Sequence, residues 1–223
     1  DAQSAEAFSA ALRGPVAEQL LAQSGVRKLR VSVADADVAP AARLRQGNSR
    51  PMLDALVSLW VDSSVYRAPL EAILTDACPR FHGYLVTESE PLVNTAHPAR
   101  DGERVYGMNQ VVCLQKPPRL STEDWLRVWH GSHTQLALET QSTFCYRQNV
   151  VARALTYAAP ACDAIIEENF PPEAMTSQHV FYDAVGDDAR LQRNQKAMME
   201  SCARFIDFDR IDVLPTSEYV LRG

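Results

Sequence analysis

The chain has 223 residues, of which 46% are hydrophobic and 22% charged, and these proportions are those of a globular protein with a buried core. Its net charge of −6 argues against a nucleic acid partner, because phosphate binding needs a clustered cationic face. No apolar run approaches the roughly 18 residues of a membrane-spanning helix, so no membrane partner is expected. The five cysteines include no Cys-x-x-Cys pair, and the first residues show no secretory signal pattern. Together these features predict reduced thiols and a cytoplasmic location.

Hydrophobic periodicity predicts five elements in the first half of the chain. Leu29, Val31 and Val33 alternate with polar residues, which is typical of a half-buried strand. In chain order the predicted elements are a helix over about 3–23, strands over 27–34 and 55–61, a helix over 66–76 that Pro79 ends, and a strand over 82–89.

The second half shows the same order of elements, preceded by one additional strand. Residues 93–106 are polar and contain proline and glycine, which predicts a linker between the halves. Residues 169–187 are an insertion, either a lid over a pocket or a plain surface loop. The predicted elements are a strand over 108–114, a helix over 121–140, strands over 146–155 and 164–168, a helix over 188–205 and a strand over 211–221.

A shared sequence pattern indicates that the two halves arose by duplication. Residues 4–14 and 121–131 both read Ser-x-Glu-x-aromatic, three residues, a large apolar residue and x-Gly. Each half then follows the βαββαβ order of a ferredoxin-like unit, except that the first lacks its opening strand. We therefore predict an α+β protein of two fused ferredoxin-like units, residues 1–95 and 106–223. Either a segment is missing from the first unit, or its sheet is one strand short and has an exposed edge.

The second half resembles a known family. Trp125-x3-Trp129-x3-His133-x2-Leu136, after a Leu-Ser start, is similar to the helix signature of the EthD-like family, and Arg-Phe-Ile-Asp at 204–207 resembles the end of that family's last helix. The resemblance implies that the two antiparallel sheets pack as a pseudo-dimeric α+β barrel, in which the fused pair replaces a homodimer. It also implies ligand binding between each sheet and its helices. Members include polyketide-processing and aromatic-ring-processing enzymes, cofactor-free oxygenases and lyases.

His133 is the leading catalytic candidate. Helical spacing places Trp125, Trp129 and His133 on one face, so the imidazole is expected in a low-dielectric site where its neutral form accepts a proton. The residue aligned with His133 in the first half is Val16, so packing alone does not require histidine there. The alternative is a core histidine that is hydrogen-bonded to a carbonyl. We expect one working cleft, walled by the two tryptophans, in the second half.

Two other residues of this region are weaker candidates. His130 and His133 are three residues apart on a helix, a spacing that could hold a metal only with a third ligand that the sequence does not show. His130 is therefore predicted as a surface or rim histidine, and at the rim of the cleft it would contact substrate. Asp207 lies at the junction of the last helix and strand, where it would orient or charge-stabilise His133. Capping of a helix, or a pair with Arg204 or Arg210, is the alternative for Asp207.

Polar residues of two further segments are predicted substrate contacts. Tyr146 and Gln148 share one face of the strand over 146–155, and Asn149 lies on the other. The sequence leaves open which face lines the pocket. Tyr182 is expected to project from the insertion towards the same pocket.

The function that follows from these expectations is an enzyme without metal or cofactor. Motifs for nucleotide, flavin and serine-hydrolase chemistry are absent from the sequence. His133 would transfer a proton on a small apolar, phenolic or carbonyl substrate, in a lyase, isomerase or oxygenase reaction of a catabolic or polyketide-type pathway. The alternatives are a binding or accessory protein for a hydrophobic metabolite, or a purely structural helix face. The expected assembly is a pseudo-dimeric monomer or a homodimer.

Overall fold

The computed structural model describes residues 2–48, 52–78 and 80–223, so Pro79, expected to end a helix, lies outside the described residues. The strands are β1 (Val26–Val33), β2 (Ala55–Val61), β3 (Tyr84–Leu92), β4 (Glu103–Arg104), β5 (Met108–Leu114), β6 (Cys145–Ala154), β7 (Ala164–Phe170) and β8 (Ile211–Arg222). The α-helices are α1 (Ala2–Ala11), α2 (Ala17–Leu21), α3 (Ala68–Ala77), α4 (Thr122–Val128), α5 (Thr134–Thr140), α6 (Gln178–Phe181) and α7 (Asp188–Ala203). These bounds confirm the predicted elements to within a few residues.

All eight described strands belong to one curled antiparallel sheet, and the chain is an α+β protein of half-barrel shape. The order is β2-β1-β8-β5-β7-β6-β3, and the short β4 pairs with β8. The four long strands of the second half occupy the centre. The first half adds strands at both ends, because β1 pairs with β8 and β3 pairs with β6. The two halves therefore share one sheet.

The two ends of the described sheet are β2 and β3. An end strand has a neighbour on one side only, so β2 is less buried than a central strand. All seven residues of β7 are buried, because β7 lies between β5 and β6 under a layer of helices. All seven residues of β2 are only half-buried. Within the second half β5 lies between β7 and β8, whereas no described strand lies between β2 and β3.

The sheet has a face covered by helices and a concave face towards which it curls. On the concave face, Arg147 of β6 reaches Glu218 of β8 across the two strands between them. On the helix face, one apolar cluster lies under each pair of helices. Large buried members of the second-half cluster are Trp125, Trp129, Tyr146, Phe205 and Leu114. Large buried members of the first-half cluster are Leu12, Leu20, Leu29, Val26 and Val31.

Both halves interrupt their first helix with a five-residue π-helical segment at the aligned position. These segments are Leu12–Val16, between α1 and α2, and Trp129–His133, between α4 and α5. In the first, Gly14 departs from helical dihedral angles and Pro15 has no N–H to donate. In the second, the Thr134 hydroxyl donates to the carbonyl of Trp129, five residues back, at 2.9 Å. Single π turns of this kind occur frequently at functional sites.

The insertion after β7 is a packed part of the fold. From the sequence alone, it could have been either a lid over a pocket or a plain surface loop. Pro172–Met175 forms a 3₁₀ helix and is followed by α6. Its buried Ala174 and Met175 pack with Val38 and Ala41, which belong to a 3₁₀ helix of the first half. The insertion therefore joins the two halves through a third apolar cluster.

Candidate functional site

His133 is the last residue of the π-helical segment, and its side chain contacts α7. It is buried, with only 7% of its surface exposed. Its Nδ1 is 3.0 Å from the Ser201 hydroxyl of α7, and its ring packs on Phe205 with 4.6 Å between ring centroids. The aligned Val16 is 6% exposed, so the position is core in both halves. Only in the second half does that core position carry a titratable group with a hydroxyl partner.

The surroundings of His133 keep the imidazole neutral. Burial, the larger cause, and the positive charge of Arg204 together lower its pKa from 6.5 to about 4. At neutral pH the ring therefore carries one proton. With that proton on Nε2, the lone pair of Nδ1 accepts the hydrogen bond that the Ser201 hydroxyl donates.

An open groove of about 410 Å³ lies between the π-helical segment with α5 and the neighbouring α7. Leu136 and Ala197 give it apolar walls, and Glu200 and Arg204 bring one charge of each sign. Ser201 also lines this groove. The serine thus links buried His133 to a space that a small molecule can enter.

The two tryptophans expected to wall the cleft belong to the core and do not line the groove beside Ser201. Trp125 and Trp129 are 1% and 0% exposed, and their rings pack together at 5.1 Å. The indole Nε1 of Trp129 donates to the Tyr146 hydroxyl at 3.0 Å, and its ring stacks with Phe205. Their packing holds in place the helical segment that carries His133.

The structure resolves which face of β6 lies under the helices. Tyr146 and Gln148 lie on the helix face, where the Gln148 amide donates to the Thr134 hydroxyl at 2.7 Å. Asn149 lies on the concave face and donates to Glu167 at 3.4 Å. Asn149 therefore lies on the opposite side of the sheet from His133 and does not belong to the same site.

Asp207 has a partner other than His133. It forms an ion pair with Arg119, whose guanidinium also donates to the Ala203 carbonyl at 3.1 Å. This pair fixes the C-terminal end of α7, and its arginine is Arg119, which is distant in sequence, and not Arg204 or Arg210, the two partners that the sequence suggested. The orienting contact on His133 comes from Ser201 instead.

His130 and Tyr182 are the two remaining predicted substrate contacts. His130 is exposed and its ring packs on Trp129 at 4.5 Å, and it is not among the residues that line the groove beside Ser201. Tyr182 lines a second groove of about 240 Å³, together with Phe181 of α6 and Arg43. It also packs against the second-half core.

Glu168 was missed by the sequence reasoning. It is buried on the helix face of β7, paired across strands with Gln110 and Tyr146, and burial raises its pKa from 4.5 to about 7. Burial, and to a lesser degree the charge of Glu168, raises the pKa of Cys202 in α7 to about 12. The signal was visible in the sequence: consecutive glutamates at 167–168 in an apolar strand put one carboxylate on each face.

The concave face carries a second buried polar group that the sequence reasoning also missed. Arg147 donates to Glu218 at 2.7 Å and to Glu167 at 3.2 Å, and all three side chains are almost fully buried. Asn169 donates to Glu218 at 2.8 Å and Asn109 to Glu167 at 3.4 Å. Arg30 of β1 also lies 3.8 Å from Glu218, so two guanidinium groups and two carboxylates form an ion-pair network that links β1, β6, β7 and β8.

Comparisons with known proteins give no match, either to a family model or to a curated protein. Within residues 2–48, 52–78 and 80–223 no group of three or more His, Cys, Asp or Glu side chains is placed to hold a metal ion. No helix of the described ranges has both the length and the apolar character needed to cross a membrane.

Proposed function

We propose that this chain is a cofactor-independent enzyme in which His133, acting through the Ser201 hydroxyl, moves a proton on a small molecule bound in the groove beside α7. One observation carries the proposal: a buried neutral imidazole is hydrogen-bonded to a serine that lines the groove. In the proposed step a substrate C–H or O–H proton passes to Ser201 Oγ while the serine proton passes to His133 Nδ1. A positioned histidine of this kind contributes on the order of 10²–10⁴-fold in rate.

The positive charge of Arg204 in the groove favours a substrate that develops a negative oxygen. Arg204 lines the groove and also depresses the pKa of His133. An enolate or phenolate oxygen beside Arg204 would offset that positive charge and raise the pKa of His133 as the proton arrives. Leu136 and Ala197 suit an apolar substrate body. The substrate class is therefore a small apolar carbonyl compound or phenol.

The wider assignment is an EthD-like protein built from two fused ferredoxin-like units. The strand order β8-β5-β7-β6, with a helical segment after β5 and α7 before β8, supports a ferredoxin-like second unit. The π-helical segments at aligned positions support the duplication. The assignment favours a lyase, isomerase or oxygenase of a catabolic or polyketide-type pathway, in the cytoplasm, as a pseudo-dimeric monomer or a homodimer.

A binding or accessory protein for a hydrophobic metabolite is the second candidate. The groove of about 240 Å³ favours it, because Phe181, Tyr182 and Leu44 offer apolar contact beside the charge of Arg43. This groove holds no titratable pair of the His133–Ser201 kind. It would retain a ligand without changing it.

Turnover of a metabolite extract distinguishes the two candidates. The purified chain is incubated with a small-molecule extract, and mass spectrometry follows each species with time. The enzyme proposal predicts that one species declines while a product appears, and that His133→Val and Ser201→Ala abolish both changes. A species that binds the wild-type chain and stays chemically unchanged supports the binding protein. Equal turnover by wild type and both variants contradicts the role of His133.

A further inference from the structure

The second groove, of about 240 Å³, lies where the insertion meets the first half of the chain. Its walls come from the 3₁₀ helix over Ala36–Leu44 and from the insertion after β7, so neither half forms it alone. The described residues that line it are Arg43, Leu44, Ala174, Gln178, Phe181 and Tyr182. Sites for drug-sized ligands measure roughly 300–1,000 Å³, so this smaller groove suits a molecule of one ring.

Packing against the core fixes the aromatic wall of the groove. Phe181 stacks on the buried Phe170 with 4.4 Å between ring centroids and 15° between ring planes. The rings of Phe181 and Tyr182 meet edge to face at 5.1 Å. Ala174 is only 2% exposed and belongs to the same apolar cluster as Phe170. The wall is therefore formed by the fold itself and offers a flat contact to another ring.

Arg43 places a positive charge at this groove. Its guanidinium donates to the Thr176 carbonyl, which ties the arginine of the first half to the insertion. Arg43 is the one charged residue among those that line the groove, and within the described part of the chain it forms no ion pair with a carboxylate. A guanidinium carries several N–H donors, so the others can bind an anion, and a carboxylate matches two of them in parallel.

Gln178 offers a second donor to the groove. Its Oε1 accepts a hydrogen bond from the Gln195 amide of α7 at 3.1 Å, so the NH₂ end of the Gln178 amide is left for a ligand. The Asn194 amide of α7 donates to the Tyr182 carbonyl at 2.7 Å and holds the other side of the insertion. The polar groups that remain for a ligand are thus donors, which suits an anion.

We propose that the second groove binds a small aromatic carboxylate, with its ring against Phe181 and Tyr182 and its carboxylate on Arg43. The Gln178 amide donates to the same carboxylate. The inference rests on the binding function proposed for this groove and names its ligand class. It also holds beside turnover at Ser201, because the two grooves share no lining residue.

Isothermal titration calorimetry of the full chain with benzoate and benzamide tests the proposal. The two probes have the same ring, and at pH 7.5 only benzoate carries a negative charge. We expect benzoate to bind saturably at one site. Benzamide should bind at least about 10-fold more weakly, because it lacks the charged hydrogen bonds to Arg43.

Three variants locate the bound probe. Arg43→Gln should weaken benzoate at least about 10-fold and leave benzamide unchanged. Phe181→Leu should weaken both probes about 2–10-fold, since both lose an aromatic contact. Arg45→Gln is the matched control, because Arg45 pairs with Asp54 and does not line this groove, and it should bind benzoate as the wild type does.

Three outcomes would overturn the proposal. The first is the absence of saturable benzoate binding, and the second is equal affinity for benzoate and benzamide. The third is a loss of benzoate binding in Arg204→Gln but not in Arg43→Gln, which would place the anion in the groove beside Ser201. The binding function itself fails only if the chain retains no species of the metabolite extract, so the two failures are distinguishable.

Discussion

Replacing His133 with valine tests whether a neutral imidazole occupies a position that packing alone would fill with an aliphatic residue. Val16 holds the aligned, equally buried position, so valine fits the local backbone. The pKa of His133 falls from 6.5 to about 4 on folding, so between those pH values the unfolded chain binds a proton that the folded chain does not. Wild-type stability is therefore lost as the pH falls through this window, by about 3 kcal/mol at pH 4. His133→Val should remove that loss.

Urea denaturation followed by tryptophan fluorescence, at pH 7.5 and pH 4, measures the difference. At pH 7.5 we expect the variant to be less stable by only about 1 kcal/mol, the value of one lost hydrogen bond to Ser201. At pH 4 the variant should be the more stable protein, by about 2 kcal/mol. The matched control, Val16→His, should acquire the acid sensitivity that His133→Val loses. The reasoning fails if wild type and His133→Val keep a constant difference at both pH values.

Three further predictions concern neighbouring groups. Glu168→Gln should gain stability over the wild type as the pH rises from 4.5 to 7, by up to about 3 kcal/mol. The reason is that the folded carboxyl, with its raised pKa, still binds a proton that the unfolded carboxyl has lost. Urea denaturation at pH 5 and pH 8 measures the gain, and an equal difference between the two proteins at both pH values would contradict it. Ser201→Ala should cost only about 1 kcal/mol in thermal unfolding yet abolish turnover of whichever metabolite the wild type consumes, whereas retained turnover would exclude the serine relay. Arg147→Met should cost about 3–5 kcal/mol in urea denaturation at pH 7, because it leaves Glu167 buried without its cation and Glu218 with only the more distant Arg30; a variant as stable as the wild type would contradict an ionic role for Arg147.

The secondary structure was predictable because long-range contacts rarely oppose the local pattern here. The alternation in β1 and the helical spacing of apolar residues in α4 and α5 follow the buried faces directly. Short elements escaped prediction. The two residues of β4 pair with β8 inside the expected linker, and a 3₁₀ helix over Ala36–Leu44 forms between two predicted strands, where no element was predicted. Such elements depend on their neighbours more than on their own residues.

The candidate site was predictable in its central residue only. Helical spacing and comparison with Val16 indicated a buried imidazole at position 133, and the structure gives it that burial. Its partner Ser201 lies 68 residues further along, and no local pattern links a serine in α7 to that ring. The face of β6 that carries Asn149 was equally undetermined, since alternation assigns residues to two faces without saying which one the helices cover.

Nitrogen NMR of the His133 imidazole tests the central claim most directly. The account predicts a neutral ring at pH 7 with the proton on Nε2, a hydrogen-bonded Nδ1 that loses its partner in Ser201→Ala, and protonation only near pH 4. A ring that is charged at pH 7, or one whose proton sits on Nδ1, would show that His133 cannot take a proton from the Ser201 hydroxyl.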